Sequence, residues 1–436
     1  MNSQLLGNFK KLDIYNFLIY AVVVAIIPYY NLSGAPAMTL GTIALGLALI
    51  SSVEICALCV VYTIPFALGV QGVFGGLNLN NAIQLLLIIK AIFSRKGLLT
   101  LNTVIKICSI ALITQIIPII ACSQSFANVI MLVINLLLLS IYYRLIKARK
   151  PTYITTFVIF SLGVLISCIV ALYGNFQIKN IDYVEYDFFR FCGLWTDPNF
   201  LGAFCIVVLA TCLCLSQGMT KNLLLLSPIM LLSLFFGFKT LSFTFIILLL
   251  TVIGVFIVSS IKDPRQLFII GLICTIVVAP YIIGKIDDML AVRVVGDDSD
   301  ISHGRFASSI DLLTIWLSKV KFFLFGYGYN NTIGAINEYS SNHIASHNTY
   351  VDLITELGLL SNILFSGYVF SKGYLSRKYI KPLFSSFGVI LFVTILTLGT
   401  VSGLKYEFVF IFIACYIAQV ENENCITNTN NHLFNR

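Results

Sequence analysis

Charge is scarce in this chain: Asp, Glu, Lys and Arg make up 11% of its 436 residues, against about 25% in soluble domains. A water-soluble fold of this size needs a polar shell that such a composition cannot supply. The 58% hydrophobic content instead fits a polytopic membrane protein. A basic stripe and any nucleic-acid motif are also lacking, so the net charge of +8 does not mark a nucleic-acid binder. Loops rich in Lys and Arg on the cytoplasmic side account for it better. Zinc spacing is missing as well, because Cys56-x-x-Cys59 has no second pair. Nearly all the cysteines lie inside apolar runs, where they are expected to act as small packing residues. No small-residue cleavage site follows the first apolar run after Lys10 and Lys11, so that run is expected to stay as a helix.

What the chain has in quantity is about fourteen apolar segments, each near the ~20 residues that cross a bilayer as a helix. They read as 14–31, 38–55, 56–75, 78–94, 101–121, 126–146, 152–174, 198–216, 222–238, 240–259, 266–285, 347–371, 382–402 and 404–420. The expected fold is therefore all-α, a polytopic transmembrane helical bundle of about 12–14 helices. The breaks around Glu54 and Gly403-Leu404-Lys405 carry the weakest polar signal. With the N-terminus placed in the cytoplasm, the inside loops collect Arg95-Lys96, Arg144 to Lys150, Lys221, Lys262 with Arg265, and Lys372 to Lys381. Both termini then come out cytoplasmic, and residues 421–436 form a polar tail expected to be disordered. Two longer loops fall on the outer side, 175–197 and 286–346.

The second outer loop holds His303 and His343 and ends against His347, which gathers three of the four histidines there. Within it Phe306, Ile310, Leu313, Leu317 and Val320 recur at helical spacing, predicting an amphipathic helix over 305–321 that stops at Gly326-Tyr327-Gly328. Such a helix either lies on the membrane surface or packs on the bundle, and the pattern allows both. The loop ends at His347-Asn348-Thr349-Tyr350, where polar chain turns back into an apolar helix. Ionisable groups at the edge of a membrane core are costly and mark functional sites.

Several short motifs share one order along the chain. They are Arg190-x-x-Gly193-x-x-x-Asp197-Pro198-Asn199, Thr240-Leu241-Ser242, Gly304-Arg305, Leu324-Phe325-Gly326-Tyr327-Gly328, and His347-Asn348-x-Tyr350 with Glu356-x-Gly358. In this order, over roughly residues 186–366, the chain resembles the O-antigen ligase and O-antigen polymerase (Wzy-type) superfamily. The resemblance implies a GT-C-like membrane glycosyltransferase that needs no metal or other cofactor and works in a cavity on the outer face of the bacterial cytoplasmic (inner) membrane. It implies donors and acceptors carried on undecaprenyl diphosphate, membrane lipid as surroundings, and a flippase and chain-length regulator as partners. It places Arg190 and Arg305 on the donor diphosphate and His347 as catalytic base.

Elementary chemistry agrees with those assignments. A diphosphate leaving group needs its developing charge stabilised, and arginine offers a planar fork that stays protonated. A sugar hydroxyl attacking the anomeric carbon needs a proton acceptor, which imidazole supplies near neutral pH. Asn348 is a candidate for orienting the imidazole or a substrate hydroxyl, and Asp197 and Asn199 for positioning sugar hydroxyls. Taken alone, Asp197-Pro198-Asn199 also reads as a plain turn into a helix with proline near its start. The chain departs from the family pattern where Phe243 follows Ser242, which leaves Lys239 as a candidate third cation, and Arg293 remains a rival to Arg305. Polymerase and ligase share this chemistry and differ in the acceptor. A transporter of lipid-linked sugars is a third possibility, but it would place charges near the bilayer midplane. Only Glu54, Lys90 and Lys106 are candidates for that here.

Overall fold

The computed structural model describes residues 9–30, 35–75, 77–94, 97–122, 124–148, 151–174, 190–195, 197–216, 220–260, 305–331, 348–370 and 406–419. Among these residues the regular structure is helical, apart from an isolated bridge between Phe74 and Leu77. The helices are α1 (Lys11–Tyr30), α2 (Ala35–Ile50), α3 (Val53–Thr63), α4 (Leu79–Ile92), α5 (Leu101–Ala121), α6 (Phe126–Lys147) and α7 (Tyr153–Tyr173). They continue as α8 (Pro198–Ser216), α9 (Thr220–Lys239), α10 (Phe243–Ser260), α11 (Arg305–Ser318), α12 (Val320–Phe325), α13 (Thr349–Phe370) and α14 (Glu407–Gln419). Five of them, α1 and α5 to α8, are long and apolar enough to cross a membrane. The expected segments 266–285 and 382–402 and the tail 421–436 lie outside the described residues.

Local chemistry sets most boundaries. Asn78, Thr100 and Thr152 each accept a backbone N–H of the helix they precede, capping α4, α5 and α7. The expected weak break near Glu54 falls a little earlier, at Ser51-Ser52. There the Ser52 hydroxyl caps α3 and its N–H donates to Asp13 at 3.2 Å. The run 56–75 is not one spanning helix. After Thr63 it tightens into a 3-10 turn, Ile64–Phe66, because Pro65 has no N–H to continue the α-helical ladder.

Helix α3 and the turns that follow it to Val70 run from one end of the bundle to the other. At the start of α3 lie Asp13 of α1 and Tyr142 of α6, whose hydroxyl donates to the Ala57 carbonyl at 2.6 Å. Nearby, Lys90 of α4 closes the end of α2 by donating to its last carbonyls and to Ser51. Arg144 of α6 donates to Gly97 at 2.7 Å, just ahead of α5. At the far end of α3 the Leu68 N–H donates to Leu194 and the Leu79 N–H to Val70, so α4 starts here and the residues ahead of α8 lie here. One end therefore gathers Lys10, Lys11, Lys90, Arg144 and Lys147, while the other holds Arg190 together with Lys239, Lys319 and Lys321. Outside the core, Leu18, Ile19 and Val22 on α1 and Ile113, Ile116 and Ile120 on α5 are exposed, a surface suited to lipid.

The Arg190 end is completed by an interrupted helix and a turn docked into it. α13 leaves helical geometry at Gly358, whose φ is +65°. The break frees carbonyls that the turn after α12 takes up: Tyr327 N–H donates to Thr355 at 3.0 Å and Gly328 N–H to Glu356 at 2.9 Å. The Asn330 N–H donates to the Glu356 carboxylate at 2.8 Å. Gly326 and Gly358 pass so close that a Cβ on Gly326 would run into the Glu356 carbonyl, and one on Gly358 into the Gly326 nitrogen. Both also sit at positive φ, where any other residue is strained. From the other side Gln115 and Gln124 hold Tyr329 by its N–H and carbonyl, and Asn135 donates to its hydroxyl at 2.8 Å.

The single amphipathic helix expected over 305–321 is two helices, α11 and α12, separated by Lys319 in extended conformation. The expected stripe is not the face packed on the bundle, which leaves the surface-lying alternative in place. Ser308 and Leu312 are buried, whereas Ile310, Leu317 and Val320 are exposed. Leu312 joins Phe322 and Tyr327 in a small core of its own, and the Tyr327 hydroxyl donates to the Leu312 carbonyl at 2.8 Å. The demands of the docked turn decide which face is buried.

Candidate functional site

The site begins with the aromatic base under residues 190–195. Trp195 packs against Phe204 of α8 and against Tyr406, with ring centroids 5.1 Å and 5.3 Å away. Phe191 stacks on Phe236 of α9 at 5.7 Å and its N–H donates to the Lys239 carbonyl. Gly193 at φ +62° turns the chain between these anchors. Arg190 is thereby held half-buried over the junction of α8, α9 and α10.

Its guanidinium is oriented by two neutral oxygens. Nε donates to the Thr240 carbonyl at 3.1 Å, and Nη2 donates to Asn199 Oδ1 at 3.2 Å. The Ser242 hydroxyl donates to the same Asn199 oxygen at 2.7 Å. Thr240, Ser242 and Asn199 are buried, so this triangle forms out of reach of water. Between Thr240 and Ser242, Leu241 adopts φ +47°, a left-handed conformation that a side chain with Cβ rarely takes. Backbone strain of this kind costs roughly 1–3 kcal/mol and clusters at binding and catalytic sites. Here it turns the end of α9 into α10 so that a carbonyl faces Arg190.

Asp197 serves first as a helix cap. Its Oδ1 accepts the Asn199 N–H at 2.7 Å, and Pro198 opens α8, as the plain turn reading expected. Its charge also shapes the pocket electrostatics. Burial pushes the Cys192 thiol up to about 12; the neighbouring Asp197 carboxylate adds to the rise and Arg190 opposes it. A carboxylate and a guanidinium thus act on the same thiol, which stays protonated and unreactive.

The other expected residues divide. Asn348 caps α13: its Oδ1 accepts the N–H groups of Tyr350 at 3.0 Å and Val351 at 3.4 Å. Lys239 is exposed, with its ammonium 5.2 Å from the Phe235 ring centroid, while its carbonyl anchors Phe191. Arg305 is the first residue of α11, and its side chain lies outside the described residues. His347 and Arg293 also lie outside them, His347 directly ahead of the Asn348 cap. Asp298-Ser299-Asp300, likewise outside them, is an Asp-x-Asp, so the expectation of metal independence rests on the resemblance alone.

Hydrogen bonds join three of the motif pieces, Arg190, Asp197-Pro198-Asn199 and Thr240-Leu241-Ser242, into one cluster. The remaining described pair, Leu324 to Gly328 and Glu356-x-Gly358, meets in the docked turn. Sequence reasoning did not foresee that second meeting, nor the bond from Asn80 at the start of α4 to Glu407 at the start of α14. Paired glycines flanked by polar residues were the only available signal for the first. A lone acid at the head of an apolar run was the signal for the second. No family model matches this chain, and no curated protein matches it either.

Proposed function

We propose that this protein is a membrane glycosyltransferase that polymerises oligosaccharide repeat units carried on undecaprenyl diphosphate. One observation carries the reading: Arg190 is held by buried neutral acceptors at a strained turn on the bundle end away from Lys10, Lys11, Arg144 and Lys147. A guanidinium positioned in advance in this way stabilises charge developing on a diphosphate leaving group without reorganising during the reaction. The lysine- and arginine-rich end faces the cytoplasm by the positive-inside rule, which puts Arg190 on the outer face, with both termini inside. His347, next to the Asn348 cap, is the base that takes the proton from the attacking hydroxyl, and Arg305 shares the diphosphate with Arg190.

The transporter reading gains little from the described charges. Glu54 sits in the first turn of α3, and Lys90 closes the end of α2, so both lie at helix ends and not at a midplane site. Deleting the gene and analysing the surface glycan tests the proposal. A single repeat unit on the final acceptor is the expected outcome. Full-length polymer left on its lipid carrier would identify a ligase, and an unchanged glycan would sink the reading.

A further inference from the structure

We propose that the outward face of α11 and the start of α12 lie in the membrane interface at the Arg190 end, with Lys319 set among anionic lipid phosphates. The position along the membrane comes first. α5 has 21 residues, about 31 Å at 1.5 Å per residue, which matches a hydrocarbon core of about 30 Å. Its last residue therefore marks a boundary between hydrocarbon and headgroups. Lys321 of α12 donates to that residue's carbonyl, Ala121, at 3.4 Å. This bond fixes α11 and α12 at boundary depth, beside the end of the exposed stripe Ile113, Ile116 and Ile120 of α5.

The chemistry of the face fits that depth. Ile310, Leu317 and Val320 are 48%, 64% and 74% exposed. The hydroxyls lying among them are turned inward: Thr314 donates to the Ile310 carbonyl at 2.8 Å and Ser318 to Ile315 at 2.7 Å. Hydroxyls satisfied by their own helix can meet hydrocarbon without an unpaired donor. Lys319 is exposed at the seam of the two helices, its ammonium 5.5 Å from the Phe322 ring centroid, so cationic charge borders the apolar strip. A water-facing surface would leave the strip uncovered, and a second copy of the chain would have to match lysine against its own lysine.

The test uses the full-length protein in vesicles, with a fluorescent noncanonical residue in place of Leu317 or Val320. Position 120 on α5 serves as the lipid-facing reference and position 147 as the water-facing one. Lipids brominated in the acyl chain should quench positions 317 and 320 several-fold more than aqueous iodide does, as at position 120. Quenching by iodide alone would overturn the proposal, and so would protection from both quenchers, which would place a second copy over the face. In the same labelled protein, Lys319→Glu should weaken acyl-chain quenching at position 317 in phosphatidylglycerol vesicles and leave it unchanged in phosphatidylcholine. An equal effect in both lipids would overturn the assignment of Lys319 to anionic phosphates.

Discussion

Two regions at one end of the bundle use hydrogen bonds to opposite ends. Around Gly326 and Gly358 most of the bonds serve the backbone: carbonyls freed by the break in α13, and N–H groups of the turn after α12, find partners in each other and in Glu356, Gln115 and Gln124. Around Arg190 the bonds run the other way, with backbone and amide oxygens converging on a charged side chain. The first arrangement is a frame, since it satisfies groups that folding itself exposed. The second keeps a cation in one orientation at the cost of strain at Leu241, which folding alone does not require.

If the Gly326–Gly358 dock is a frame, breaking it should remove the protein and not merely its activity. Gly358→Ala and Gly326→Ala each put a Cβ into backbone atoms at positive φ. The expected cost exceeds about 3 kcal/mol, with loss of folded protein from the membrane fraction. Detergent-solubilised variants eluting at wild-type yield and size would show that the two segments separate without harm.

If the Arg190 cluster is a site, changes there should reduce turnover while the protein stays folded. Arg190→Lys should be nearly as damaging as Arg190→Ala, because an ammonium cannot reach Thr240 and Asn199 in one plane as the guanidinium does. The expected loss in glycan transfer is about 10²–10³-fold. Near-normal polymer from the lysine variant at equal protein level would reduce Arg190 to a generic cation. His347→Ala should lose about 10²–10⁴-fold in turnover, with an acid-side fall in the wild-type pH profile as the imidazole protonates. Full activity in that variant would move the base elsewhere, with Asp197 next in line.

Smaller changes separate positioning from contact. Ser242→Ala removes one of two donors to Asn199 and should cost roughly 1 kcal/mol in stability and a modest share of turnover. Asn199→Ala should do more, because the half-buried Arg190 loses a direct acceptor. The reverse ranking would mean that Asn199 is not the hub. The smallest effect concerns Cys192. With its thiol at about 12, against about 8.5 when free, it should be alkylated slowly at pH 8 and progressively faster as pH rises. Peptide mapping that found Cys192 labelled at the rate of an exposed thiol would contradict the burial of the 190–195 turn.

Local sequence set where most of the helices lie. Apolar length and capping residues are local properties, and α5 and α8 begin and end at the residues expected, 101–121 and 198–216. It also placed Asp197, Asn199 and Asn348 at helix ends, since turns and caps are written in neighbouring residues. Which oxygen meets which donor across the fold was settled by long-range packing. That Asn199 serves Arg190 and Ser242, and that Gly326 lies against Gly358, depends on contacts between segments far apart in the chain. The same reason explains α11. Periodicity proposed a stripe through Ile310, Leu317 and Val320, but burial went to Ser308 and Leu312, because the docked turn presents Tyr327 to that side. A helical repeat says that a face exists; the neighbouring segments decide which face is covered.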